Sequence, residues 1–306
     1  MPKLRMGGQA VLEGVMMRSP HAMAVAVRRP DGTITTTASR IDTVFHKYFP
    51  FTWFPLRGVV SLIEMFTLGL KALSFSAQQA TGEEEDFGAK EIAGSFIFAM
   101  VLVVLLFIVL PAFLANFTKS YLPSSAWKSG VEGVIRISIF LIYVWAVSYM
   151  RDIKRVFEYH GAEHKTVHAY EEGMELKPEV IRGFSALHVG CGTGFLLIVM
   201  VVSIFVFAFI PPTTIWLRVL IQICLVPVIG SFTYELIRLA RRYEHSTAVK
   251  ILMAPGLLLQ RLTAREPDDD QIEVAVTALE EALKMEGAPA GAHTDGSASG
   301  GGAEDA

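Results

Sequence analysis

Histidines at positions 160, 164 and 168 recur every four residues in the stretch FEYHGAEHKTVHAYEEG, with Glu163 directly before the second and Glu171 and Glu172 after the third. On a helix, at about 100° per residue, the three imidazoles, Glu163 and Glu171 share one half of the cylinder, and Lys165 points away. Gly173 and Pro178 are suited to stopping such a helix. His160-x-x-Glu163-His164 has the H-x-x-E-H order of the inverted zincins. Two imidazoles one turn apart can face one ion, and the glutamate between them can take a proton from water that the ion polarises. Glu163 is therefore the candidate general base.

A second pair follows at His188-x-x-Cys191. Imidazole and thiolate suit a borderline-soft divalent metal, and the thiol favours zinc. Together His160, His164, His188 and Cys191 would make a closed tetrahedral set. Three of them with one open position would suit catalysis instead. His168 reads as a supporting or surface residue. The plain alternative is a membrane-surface helix whose His and Glu side chains, with Lys165, are solvated charge. Glu13 is a further candidate ligand or base. Glu235 is a candidate because it ends an apolar run at a membrane face, with a salt bridge to Arg238 or Arg241 as its ordinary explanation. Two cysteines, Cys191 and Cys224, give no disulfide framework.

The elements that must position these groups are mostly membrane-like. The 306 residues are 52% hydrophobic and 19% charged, below the quarter or so of charged residues usual in soluble domains. Four apolar runs are expected to cross the bilayer: 92–117, 134–150, 189–210 and 215–236. Residues 151–188, carrying the HxxEH motif, form the loop between the second and third spans. Lys and Arg crowd residues 1–91, 151–182 and 238 onward, whereas the loop after the first span holds only Lys119 and Lys128. Positive loops stay inside, so both termini and the histidine loop are expected to be cytoplasmic, with the protein in the inner cell membrane. A net charge of −3 gives no case for nucleic acid.

Outside the spans, Ala24–Ile41 alternates around Pro30-Asp31-Gly32 and predicts a β-hairpin within a cytoplasmic region 1–48. The preceding MGGQAVLEGVMMRSP has no clean helical or strand period. Residues 49–80 are apolar with Arg57, Glu64 and Lys71 seven apart, which predicts an interfacial or bundle-packed helix rather than a span. The acidic break at 81–88 is expected to cap the first span. Region 237–286 is cytoplasmic, with an interfacial ILMAPGLLLQ segment and an amphipathic helix that Asp268–Asp270 would begin. Residues 287–306 have the composition of a disordered tail. The fold class is thus a mainly α-helical integral membrane protein of about four transmembrane helices, with interfacial helices and a small N-terminal β-hairpin region on the cytoplasmic side.

Five blocks in order, MGGQAVLEGVMMR, FPLRGVV, FEYHGAEHKTVHAYEEG, CGTGF and LTAREPDDDQIEVAVTALEEAL, closely resemble the bacterial YqhQ family. That family is a multi-pass membrane group of unknown function, described as a metal-dependent enzyme on residues such as these. The resemblance implies roles for His160, Glu163, His164, His188 and Cys191 by position. Where the family reads His-Pro-Arg-Cys-Gly-Thr, this chain reads His188-Val189-Gly190-Cys191-Gly192-Thr193. The change keeps the ligating types and removes a positive charge that could bind phosphate or carboxylate. The function expected is a zinc-dependent hydrolase at the cytoplasmic membrane face, acting on a membrane-associated protein or a lipid-linked substrate. A non-enzymatic scaffold or assembly factor with a structural metal is the alternative. The lipid bilayer is the one partner that composition itself implies.

Overall fold

Asp31-Gly32 turns the chain as its sequence predicts. Gly32 takes φ +86°, Arg29 and Thr33 close the turn, and the Asp31 carboxylate accepts from the Thr33 N–H. The turn joins β3 (Ala22–Arg28) to β4 (Ile34–Arg40). The computed structural model describes residues 4–41, 56–81, 89–117, 125–210, 214–243 and 246–287. All of the expected acidic break at 81–88 but Thr81, and the expected tail beyond residue 287, lie outside these residues.

The stretch without a period is a second hairpin, β1 (Gly7–Val11) and β2 (Gly14–Arg18), turned at Glu13 with φ 49°. The four strands make an antiparallel meander in the order β1-β2-β3-β4. Its alternation is hidden because both faces are covered. Val15, Met17, Ala24 and Ala26 pack against Tyr159, Ala162 and the C-terminal helix, while Val11, Met16, Met23, Val25 and Val27 pack beneath Ala72. A strand buried on both faces has no polar side for a period of two to mark.

Helix α1 (Leu56–Thr81) covers that second face. Its Glu64 pairs with Arg18 at 3.5 Å, and Gln79 accepts from Arg29. Helices α2 (Ala89–Val104) and α3 (Leu110–Asn116) are one apolar rod joined by a π-helical turn, Leu105–Val109. After α4 (Ser125–Val147) come α5 (Arg151–Glu172), short α6 (Pro178–Ile181), α7 (Gly192–Ala208) and α8 (Ile215–Arg242). Helices α9 (Thr247–Thr263) and α10 (Asp269–Glu286) complete the order. Asp268 and Gln271 form a capping box at the start of α10, whose Ile272, Val274, Ala275 and Leu279 are buried beneath the sheet and α5.

Four helices are long and apolar enough to cross a membrane: 56–81, 94–116, 127–147 and 215–240. Apolar α7 is shorter, about 26 Å at 1.5 Å per residue. Length and composition thus admit residues 56–81, expected to lie at the interface, and leave out the expected third span. The contacts add direction. Helix α7 runs antiparallel beside α4: Ser129 donates to the Phe207 carbonyl, Gly133 abuts Ile204, and Phe140 and Val144 pack with Leu197. Helix α1 packs on α8 through its first turns, where Arg57 forks onto Glu235 at 2.5 Å, Gly58 abuts Ser231 and Leu62 approaches Gly230, and it also covers the sheet.

One polar knot interrupts the apolar bundle. Glu132 accepts from Arg136 at 2.9 Å, from Arg218 at 2.9 Å and from Gln222 at 2.5 Å. Arg136 also donates to the Phe107 carbonyl at 2.8 Å, within the π turn. All four side chains are buried. The α-helical donor to the Phe107 carbonyl would be residue 111, a proline with no N–H, and here an arginine from the neighbouring helix takes that role.

Candidate metal centre

The helix expected within the loop 151–188 is α5, and its Tyr159 to Val167 are buried without interruption, against the alternative of a solvated surface helix. The sheet and α10 enclose one side of it. Gly161 is a packing requirement, since a Cβ there would strike the Arg265 backbone. Lys165 does point away from the histidines, but it is not solvated: it donates to the Arg182 carbonyl at 2.9 Å and pairs with Glu266 at 2.7 Å. Gly173 ends the helix in the left-handed region, φ 76°, as its position predicts.

The three histidines on this helix are held by backbone carbonyls. His160 donates from Nδ1 to Thr263 O at 2.7 Å, His164 to Ala186 O at 2.5 Å and His168 to Ser185 O at 3.0 Å. A carbonyl only accepts, so each Nδ1 carries the proton and each neutral ring keeps its lone pair on Nε2. This is the support that metal-binding histidines usually have. His160 Nε2 lies 3.1 Å from Cys191 Sγ. Among the described residues, His160, His164 and Cys191 form one group whose ligand atoms all lie within 4.8 Å of one another. A tetrahedral zinc ion, with bonds of about 2.0–2.3 Å, separates its donors by about 3.3–3.6 Å. The donor types suit such an ion, and donors spread over up to 4.8 Å would have to close by about 1 Å around it.

Cys191 is the N-cap of α7, and Thr193 Oγ1 lies 2.9 Å from its sulfur. Burial holds His164 below the ordinary imidazole range, which keeps it neutral and able to ligate. His168 is lowered for the same reason, reinforced by the neighbouring His188.

His188 does not join the group. Its ring stands 5.6 Å from that of His164 and 4.8 Å from that of His168. Its Nδ1 accepts from the Gly190 N–H at 3.2 Å, so the proton sits on Nε2, facing Glu171 at 3.5 Å. The lone pair a metal would need is already engaged. Gln260 fixes this loop by accepting from the His188 N–H and donating to the His188 carbonyl, at 2.8 and 2.9 Å. Gln260 and Thr263 reach the site only because α9 crosses α7 closely at Gly194 and Gly256. Nothing in their local sequence marks them.

Glu163 is buried outside the group, with Oε2 lacking any hydrogen-bond partner among the described residues. Burial pushes its carboxyl above the ordinary range, while His160, His188 and the Gly8 N–H pull the other way. Gly8 meets it at van der Waals contact; a Cβ there would stand 2.9 Å from Glu163 Cγ. The other carboxylate candidates are used elsewhere. Glu13 is held by the Arg155 fork, and Glu235 pairs chiefly with Arg57, with Arg238 at 3.9 Å.

Comparison with known proteins adds a family and no activity. The family model described as a protein of unknown function, DUF1385, matches residues 53–285. The uncharacterized protein YqhQ of Bacillus subtilis (strain 168) is 33% identical over 300 residues, 92% of each chain. No solved structure matches. A membrane-like helical chain matching that model and that relative over most of its length belongs to the DUF1385, or YqhQ, family of unknown function.

Proposed function

We propose that the protein is a metal-dependent hydrolase of the inner cell membrane, with His160, His164 and Cys191 as ligands and Glu163 as the proton-handling group. The observation that carries this reading is a three-donor set beside a buried carboxyl with an unbonded oxygen. Three protein ligands leave a position open, as in catalytic zinc sites. A bound divalent ion, zinc by its donors, would supply Lewis acidity. The chain's own groups do the rest. The Thr263 and Ala186 carbonyls orient the two imidazoles, the start of α7 places Cys191 beside them, and Gly8 packs against Glu163. A carboxyl raised by burial holds and returns a proton nearer neutrality than a solvated one. The substrate class proposed is a peptide bond of a membrane-associated protein or a lipid-linked molecule.

In this reading the spans are 92–117, 134–150, 189–210 and 215–236, α1 lies along the sheet, and sheet, site and both termini face the cytoplasm. The distribution of Lys and Arg supports that orientation, and the antiparallel run of α7 beside α4 supports counting α7 as a span.

Burial favours a second reading, a structural pin in a membrane scaffold. The three ligands are only 2–8% exposed and tie α5 to the starts and ends of α7 and α9. Cobalt(II) substitution separates the two. The hydrolase reading expects the visible bands to shift when hydroxamate or thiocyanate enters the open position, in the parent and in Glu163→Gln alike. Bands that ignore both ligands would mean a closed, structural centre, and a protein that takes up no cobalt would remove both readings.

A further inference from the structure

A second polar feature lies apart from the histidines, at the junction where the first turn of α1 meets the last turns of α8. A cleft of about 480 Å³ opens there, lined by Arg5, Arg57, Glu235, Arg238 and Leu239. Three guanidiniums face one carboxylate, leaving two positive charges in excess. The Glu235 carboxylate is occupied by the Arg57 fork, both bonds at 2.5 Å, while Arg238 stands 3.9 Å from it. Arg5 makes no ion pair among the described residues, so the forks of Arg5 and Arg238 are available to a ligand. Guanidinium forks match phosphate oxygens two at a time.

The surroundings indicate where that phosphate comes from. Leu56 and Leu239 are 44% and 55% exposed beside the cleft, and Ile63, Phe66 and Leu73 continue the apolar exposure along α1. Such side chains suit acyl chains. Basic pockets beside membrane helices are a recognised way of holding anionic headgroups.

We propose that this cleft binds the phosphate headgroup of an anionic membrane lipid. The site does not depend on the metal reading. It is nonetheless near it: Arg5 is three residues from Gly8, at most about 10 Å of extended chain, and Gly8 touches Glu163.

Native mass spectrometry of the full chain in mild detergent, with phosphatidylglycerol or phosphatidylcholine vesicle lipid added at equal concentration, tests this. Retained adducts should be phosphatidylglycerol. Arg5→Gln with Arg238→Gln keeps the Arg57–Glu235 pair and should weaken that binding about thirtyfold, some five- to sixfold for each guanidinium. Arg40→Gln removes one positive charge from β4, away from the cleft, and should cost less than about twofold, against the five- to sixfold expected for each cleft guanidinium. The paired lysine substitutions, Arg5→Lys with Arg238→Lys, should recover part of the loss, which separates lost charge from a misfolded chain. Equal retention of phosphatidylcholine, or an equal loss in Arg40→Gln, overturns the proposal. Displacement of the lipid by inorganic phosphate at matched concentration overturns its lipid source in favour of a free phosphate site.

Discussion

Replacing Cys191 by serine tests the candidate centre at the atom where α5 and α7 meet. The sulfur lies 3.1 Å from His160 Nε2 and belongs to a group of three donors within 4.8 Å. Serine keeps the size roughly and the Thr193 contact, but its hydroxyl stays protonated and brings no charge to an ion. Structural zinc sites bind with apparent free energies of about 10–16 kcal/mol, so each of three or four donors carries about 3–4 kcal/mol. Zinc affinity should therefore fall about 10²–10³-fold in Cys191→Ser, and by a similar factor in His164→Ala. Competition against a chromophoric chelator, on detergent-purified protein at one fixed pH, measures both, because the donors must shed protons to bind. His188→Ala is the internal comparison. Its Nδ1 accepts from Gly190 and its Nε2 faces Glu171, so its loss should cost less than about tenfold, within the range of residues that only support ligands. Parent-like zinc affinity in Cys191→Ser would refute the reasoning. So would a loss in His188→Ala as large as that in His164→Ala, which would put residue 188 on the ion after all.

Glu132→Gln should destabilise the bundle by about 3–5 kcal/mol, because two buried guanidiniums lose their shared carboxylate. Reversible unfolding in mixed SDS micelles would show it, and a triple replacement of Glu132, Arg136 and Arg218 by apolar residues should recover most of the loss. Gly8→Ala should cost roughly 1–3 kcal/mol by overpacking against Glu163 and the Met16 carbonyl. Gly7→Ala, whose added methyl meets nothing within 4 Å, should be close to neutral, and thermal midpoints of the pair decide this. Asp268→Ala should lower stability by about 1 kcal/mol through loss of the α10 cap, read from the same midpoints.

Local sequence determined the elements whose cause is local. Asp31-Gly32 specifies a turn because glycine tolerates positive φ, and Asp268 with Gln271 specifies a helix start because their side chains reach N–H groups within one turn. The i, i+4 spacing was enough to put His160, His164 and His168 on one side of a helix, and long uncharged runs were enough to announce membrane-like helices. Tertiary structure decided what covers each face. The first hairpin was illegible because helices cover both sides of its strands, and the burial of α5 was illegible because its polar side chains find buried partners rather than water. It also chose among donors that spacing alone could not rank: His160, His164 and Cys191 converge, while His188 spends its lone pair on Gly190. Spacing along a helix fixes direction within about one turn. Which carbonyl holds each ring, and so which nitrogen is free, depends on residues 22 and 103 positions away, Ala186 and Thr263, that only the packed chain brings into reach.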